Sequence, residues 1–481
     1  MKNLSLGVLV ALVAFGCASA PPEMQAVQDA AEAMGGIDAI RSATALTVEG
    51  SGRNYALGQN VTTDGPLPER AVESYVTEYD LVNHRMRTEI ASANFLGTIA
   101  TAAEGLDGTT PYNVGGDGNA QAVAGLAARA RQAAYYHHPL PLLQAALAEA
   151  TAMAAMVSNL REEMGEAVVD ITTGDGVQLS LYIDPGTGLP SRVSSMTSDA
   201  NLGDVTLTSE FSDWADAGGL MLPGTISRTV DEYPSQDLAV SNTLNAAVGD
   251  LGAPPDLVGA PAPGPAAANV AVEELADGVW YLAGQSHHSV LVAFPEFGVL
   301  VEAPQNDTRT LAVIEQARAL LGDTPLTHLV NTHHHFDHSG GLRAAVAEGL
   351  TVVTHEDNAD FYEMLVARPH TIDPDHLAAN PQPLELETVA GDEVYEITGG
   401  DRTLQVFRVS GDPHNAAMLA AYLPAERILI EADDYTPGRG GPSAEALLQN
   451  VNDRGLNPQR IAPIHGQVVP FSDLEAQVAA P

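Results

Sequence analysis

The sequence predicts a two-part protein of mixed α and β structure, a mainly antiparallel β (α+β) domain followed by a layered α/β domain. Three observations carry this expectation. The 481 residues exceed one ordinary domain. Segments of the first half alternate apolar and polar residues with a period of two, whereas the second half alternates short apolar strands with helical spacing. A Pro/Gly/Ala-rich stretch at residues 252–268 divides them and has the composition of an extended linker. The expected divisions are residues 1–20, 21–250, 251–269 and 270–481.

Composition fits a globular chain, with 45% hydrophobic and 17% charged residues. The charge is strongly acidic: 21 Lys and Arg against 62 Asp and Glu, a formal net charge of -41, with Lys2 the only lysine. Such a surface repels phosphate backbones and anionic lipid heads, which argues against a nucleic-acid partner. Residues 1–20 read as an export signal, with Lys2, an apolar run over residues 4–15, and Ala18, Ser19 and Ala20 forming an A-x-A cleavage site. A periplasmic or extracellular protein is expected. Cys17, the only cysteine, follows Ala14, Phe15 and Gly16, and this resembles a bacterial lipoprotein box. Cleavage before Cys17 would leave a lipid anchor and cleavage after Ala20 a soluble chain, the form favoured here. Neither form carries an intrachain disulfide. The oligomeric state is not encoded in any motif.

Residues 24–34 have helical spacing and end at Gly35 and Gly36, a C-cap signal. Residues 45–49, 166–172 and 177–183 alternate as half-buried antiparallel strands. The alanine-rich residues 141–157 read as a helix lying against them. The turn patterns at residues 182–191, 211–214 and 219–223 resemble the curved half-barrel of periplasmic lipoprotein carriers, which implies an apolar cavity for an acyl chain. An accessory β domain without a ligand is the alternative. Further on, residues 279–282, 289–293 and 298–302 read as strands. Residues 308–321 follow as a helix with Leu311, Ile314, Ala317, Leu320 and Leu321 on one side. Strand 326–331, helix 340–349 and strand 350–354 complete the alternation.

The end of strand 326–331 carries the chemistry. His333, His335, Asp337 and His338 fall within six residues, in the pattern H-x-H-x-D-H. In an extended loop His333 and His335 project the same way and can share one metal; Asp337 and His338, at the turn toward the next helix, can meet a second. Ser339 is the candidate N-cap of that helix. Imidazole and carboxylate ligands suit zinc or iron rather than calcium.

This pattern resembles the signature of the metallo-β-lactamase superfamily. The resemblance covers residue 270 to the C-terminus and implies an αββα sandwich. It also implies three further ligands, each after a strand: His414 for the first metal, Asp433 bridging both, and His465 for the second. Register favours Asp433 over Asp434. The chain departs from the common pattern at Ala432, where glycine is frequent, and around His414, which lacks the usual Gly-His-Thr form. The resemblance implies two Zn²⁺ ions, with iron or manganese as alternatives. Ions about 3.5–4 Å apart share a water and lower its pKa toward about 7. Asp337 would orient that water and take up its proton. Tyr435 and His288 are candidate contacts to a small-molecule substrate. Ordinary loop roles are the alternative for His287 and His288, and His334 and His355 are read as supports.

The expected activity is a metal-dependent hydrolase acting on an ester, lactone, thioester or amide. The resembling β-lactamases place Cys or Ser where Asp433 stands, which argues against β-lactam cleavage. Only eighteen residues separate His414 from Asp433, too few for the inserted domain of the nuclease subfamilies. Sixteen residues follow His465, too few for a flavodoxin domain. A mononuclear-iron sulfur dioxygenase, or a lipid-binding or lipoprotein-binding protein with a vestigial metal domain, are the competing readings.

Overall fold

The structure is a computed structural model that describes residues 20–94, 97–148, 154–261 and 268–480. The expected export signal and Cys17 lie outside the described residues, apart from Ala20.

Among the described residues, the first half forms one thirteen-stranded antiparallel sheet, from strand Ala120–Ala122 at one edge to Met156–Glu163 at the other. Strand Ala45–Tyr55 and the last strand, Tyr233–Leu244, pair near its middle, Leu46 opposite Leu244 and Asn54 opposite Gln236. The period of two read at residues 45–49 is real: Leu46 and Val48 are buried and meet helices on one face of the sheet. Helix Pro22–Ala33 buries Val27, Ala30 and Ala31 there, and helix Pro139–Ala146 buries Leu140, Leu142 and Leu143. Each buried Val or Leu among these contributes about 1.5–3 kcal/mol of burial, and each Ala methyl less.

The helix expected over residues 141–157 is a correction. It spans Pro139–Ala146, its first turn holding both prolines and the His138 ring accepting from the Leu140 amide at 3.2 Å. Met156 and Val157 instead open a strand paired with Thr172 and Ile171. Cross-strand pairing outweighs the local alanine preference for helix. A cavity of about 1050 Å³ beside helix Gly125–Tyr136 mixes Arg129, Asn159 and Asp170 with Met156, Ile171 and Met196, so its wall is not the purely apolar one expected.

The second half is an αββα sandwich. A seven-stranded sheet includes Ser289–Ala293, Gly298–Val301, Leu326–Val330 and Thr351–His355; a six-stranded sheet includes Leu419–Leu423, Ile428–Glu431 and Arg460–Pro463. Alternation sets the layers. Val290, Val292, Val299 and Val301 face the second sheet, against Phe407, Leu419 and Ile430. Their neighbours Leu291 and Leu300 face outward onto helices Asp307–Leu321 and Leu342–Ala347. Strand Ala271–Ala276, which the sequence reading missed, pairs with Val279–Ala283 at the edge.

The two halves are docked. Arg368 donates to the Leu202 carbonyl at 2.6 Å and reaches Asp231, and Thr371 caps onto Asp204. Leu202, Val205 and Leu365 bury together, with Leu57 and Phe336 packed against them. The stretch expected to be a free linker is pinned at its start: the Tyr112 hydroxyl donates to the Leu251 carbonyl at 2.9 Å, and the Ala253 amide donates to Asp107 at 3.0 Å. Residues 262–267 lie outside the described residues.

Candidate metal centre

Strand Leu326–Val330 delivers the chain to the site, and Asn331 then pins it. The Asn331 amide donates to the Val353 carbonyl at 2.9 Å, and its side-chain nitrogen donates to the His338 carbonyl at 2.9 Å and to Glu302. The buried Tyr362 hydroxyl donates to the His333 carbonyl at 3.0 Å. Ser339, expected as an N-cap, is a correction. It lies inside the short helix Phe336–Ser339, and its hydroxyl donates back to the His334 and His335 carbonyls at 3.0 and 3.1 Å. The following helix begins after Gly341, where an added Cβ would lie 1.8 Å from the Thr310 hydroxyl.

Two groups of ligand atoms result, each lying within 4.8 Å of one another: His333, His335, His414 and Asp433 in the first, and His287, Asp337, His338 and His465 in the second. Asp433 joins them. One carboxylate oxygen is 2.9 Å from His414 Nε2, and the other is 2.9 Å from both His338 Nε2 and His465 Nε2. All seven residues named from sequence are thus brought to one place, from four strand ends and the loops after them.

The outer nitrogens are held so that the inner ones point at the site. His338 Nδ1 is 3.1 Å from the buried Glu302 carboxylate, and His335 Nε2 is 2.9 Å from the Asn60 carbonyl. His333 Nε2 and His335 Nδ1 are buried with no hydrogen-bond donor or acceptor of their own. Buried polar atoms are rarely left so, and a borderline divalent cation is the partner this donor set suits. Electrostatics agree. Burial holds His333 well below the ordinary imidazole value and His335 down at about 3, leaving neutral rings that can donate a lone pair. Burial opposes ionisation of Asp433, but the charge on His338 and hydrogen bonds from His338, His414 and His465 outweigh it and keep the carboxyl far below its usual range. Burial likewise opposes charge on His338, yet Asp433 and Glu302 raise it well above 6.5. Carboxylates that impose protons on imidazoles mark a place built for positive charge.

Three further assignments are revised. His287, read as an ordinary loop residue, belongs to the second group: its Nε2 is 3.2 Å from Asp337, and its ring stands 4.1 Å from that of His465. The buried Arg309 guanidinium holds this loop through the Leu282 and His287 carbonyls, at 3.0 and 3.2 Å. His288 turns away from the site. Its Nδ1 accepts from the Gly284 amide at 3.0 Å, its ring meets Tyr281, and burial lowers its pKa to about 4. Adjacent residues entering a strand face opposite ways, and only the sheet decides which one meets the metal loop. Tyr435 is 2% exposed and packs in the core between and beside the sheets, so it is not a cleft-side donor. Asp434 is also buried apart from the ligand groups, its carboxyl pushed well up by burial and by Asp412 and Asp433.

The family model of the metallo-beta-lactamase superfamily matches residues 284–416. Over this region the chain is similar to that superfamily. The matched stretch contains His287, the H-x-H-x-D-H loop and His414; Asp433 and His465 lie beyond it and join the site through geometry. Similar solved structures include a metallo-beta-lactamase from Pontibacter korlensis, at 22% identity, 44% of this chain, 98% of that chain and a TM-score of 0.34. One from Hirschia baltica has 18% identity, 43% and 95% coverage and a TM-score of 0.34. The mono-zinc form of one from Pseudomonas aeruginosa has 19% identity, 43% and 92% coverage and a TM-score of 0.35. No curated protein matches the chain.

Proposed function

We propose that the chain is a dinuclear zinc hydrolase that cleaves an ester, lactone, thioester or amide bond of a small molecule. One observation carries the reading: Asp433 offers one carboxylate oxygen to each of two ligand groups. His333, His335 and His414 would hold one ion, and Asp337, His338 and His465, with His287 beside them, the other. When bound, the ions supply Lewis acidity and a water that loses its proton near neutral pH.

The chain's own residues do the rest. His333 and His338 are sealed from solvent, whereas the side chains of His414, His465 and Asp337 are 34, 24 and 38% exposed, so substrate enters on their side. Burial would raise Asp337, but the hydrogen bond from His287 and the His338 charge hold it below its usual range, so it is ionised at neutral pH. An ionised carboxylate at the open edge can accept a hydrogen bond from the attacking water and set its direction. Ions held by these residues would stabilise the negative charge that a carbonyl oxygen gains in the transition state. A mature chain outside the cytoplasm is part of this proposal and rests on residues 1–20 alone.

Metal analysis of the purified full-length protein and a panel of esters, lactones, thioesters and β-lactams test the reading. Two zinc ions per chain and turnover of at least one substrate class are expected. Asp337→Ala is expected to lose turnover while remaining folded; retained turnover in that variant removes Asp337 from the mechanism. One iron with oxygen uptake would replace the hydrolase reading with the dioxygenase one.

A further inference from the structure

We propose that the loop of residues 56–68, which belongs to the N-terminal sheet, is a strap that positions the metal ligands, so that the centre is built by both halves of the chain. This rests on the reading above that the two groups hold metal. The loop joins strands Ala45–Tyr55 and Glu69–Asp80. Four consecutive residues in it each bond to a ligand-bearing loop. The Gly58 carbonyl accepts from the Phe336 amide at 3.3 Å, and the Val61 carbonyl accepts from the Ala416 amide at 2.8 Å. Between them, Gln59 Nε2 donates to Asp337 at 2.8 Å, and the Asn60 carbonyl sits 2.9 Å from His335 Nε2.

Each inner contact sets a ligand's chemistry. A backbone carbonyl can only accept, so the Asn60 carbonyl requires the proton of His335 on Nε2 and leaves Nδ1 as the lone pair facing His333, His414 and Asp433. A side-chain amide nitrogen can only donate, so Gln59 fixes one oxygen of Asp337 while His287 takes the other at 3.2 Å. Asp337 then has a single orientation, set from both sides. The strap is itself held in shape. Asn60 is 7% exposed, and its side chain donates to the Thr63 and Gly65 carbonyls at 3.2 and 3.3 Å. Leu57 packs into the small cluster with Leu202, Val205 and Phe336. Gly58 has φ 71°, and a Cβ there would stand 2.2 Å from the Phe336 ring. The close approach of strap and ligand loop therefore requires glycine. Gln59 and Asn60 are positioning residues: they touch ligands, not substrate.

The test uses the full-length protein, zinc and a chromogenic chelator in competition, with cobalt substitution as a spectroscopic readout. Gln59→Ala is expected to weaken one of the two zinc ions about tenfold and leave the other unchanged. Gly58→Val, which pushes the strap off Phe336, is expected to weaken both ions and to alter the cobalt spectrum. Pro66→Ala, exposed on the same loop, is the control expected to match the wild type. If Gly58→Val does not fold, Gln59→Ala decides. Wild-type affinities and cobalt spectra in Gln59→Ala overturn the strap, even while wild-type protein binds two zinc ions. A wild type that binds no zinc overturns the metal reading and the strap together.

Discussion

Replacing Glu302 by Gln is the most informative single perturbation of the ligand scaffold, because that side chain is fully buried and accepts from three neighbours. It stands just past strand Gly298–Val301 with φ 82°, a left-handed conformation that turns its carboxylate under the metal loop. One oxygen accepts from the Thr332 hydroxyl at 2.6 Å and from His338 Nδ1 at 3.1 Å, and the other accepts from Asn331. An amide keeps one acceptor and turns the other into a donor. If the amide oxygen stays on Asn331, the amide nitrogen faces the Thr332 hydroxyl and His338 Nδ1. The hydroxyl can rotate to accept; the imidazole must either lose its partner or move its proton to Nε2, where the lone pair for the metal is needed. One to two orphaned buried groups at about 1–3 kcal/mol each give a loss of about 1–6 kcal/mol. Zinc affinity should fall roughly 10–100-fold through the lost tautomer. Urea unfolding of chelator-treated protein reads the first quantity and equilibrium zinc competition the second. Zinc affinity within about threefold of wild type would show that Glu302 does not set the His338 tautomer.

Two further predictions separate neighbours that the sequence cannot tell apart. His287→Gln should weaken the second metal and lower turnover, whereas His288→Gln should cost stability and leave metal stoichiometry at the wild-type value; metal analysis with thermal melting distinguishes them, and the reverse pattern would overturn the assignment. In the other half of the chain, His137 is buried between Ser195 and Ser209 at 2.8 and 3.1 Å, and burial lowers its pKa to about 3. Its folded value lies below the unfolded value of about 6.5, so the unfolded chain binds the extra proton. Its contribution is intact above about pH 6.5 and is lost as pH falls toward 3, by roughly 1.4 kcal/mol per unit. The slope of unfolding free energy between pH 6 and 5 should be shallower in His137→Asn by about that amount. Equal slopes would mean that the ring is protonated without cost.

The metal loop was legible because its information is local. His333, His335, Asp337 and His338 sit on one short turn, where an extended backbone alone sends alternate side chains one way, and the apolar strand before them supplies the rigid base. His414, Asp433 and His465 were reachable only through the family resemblance, which implies a ligand after each of three later strands. The layered fold was legible for a similar reason: Val290 and Val292 against Leu291 is a pattern that a strand imposes on its own residues. The helix expected over residues 141–157 failed because Met156 and Val157 answer to Thr172 and Ile171 across a sheet edge, not to their neighbours in sequence.

What the sequence by itself determined is therefore the candidate ligand cluster His333, His335, Asp337 and His338 and the alternation of layers, both properties of a few consecutive residues. The tertiary structure alone decided that His287 rather than His288 meets the metal loop, that Tyr435 points into the core, and that Gln59 and Asn60 reach ligands more than 270 residues away. These outcomes depend on which strand ends lie side by side and on how two halves dock. Such contacts join residues with no local pattern in common, so no window of sequence contains them.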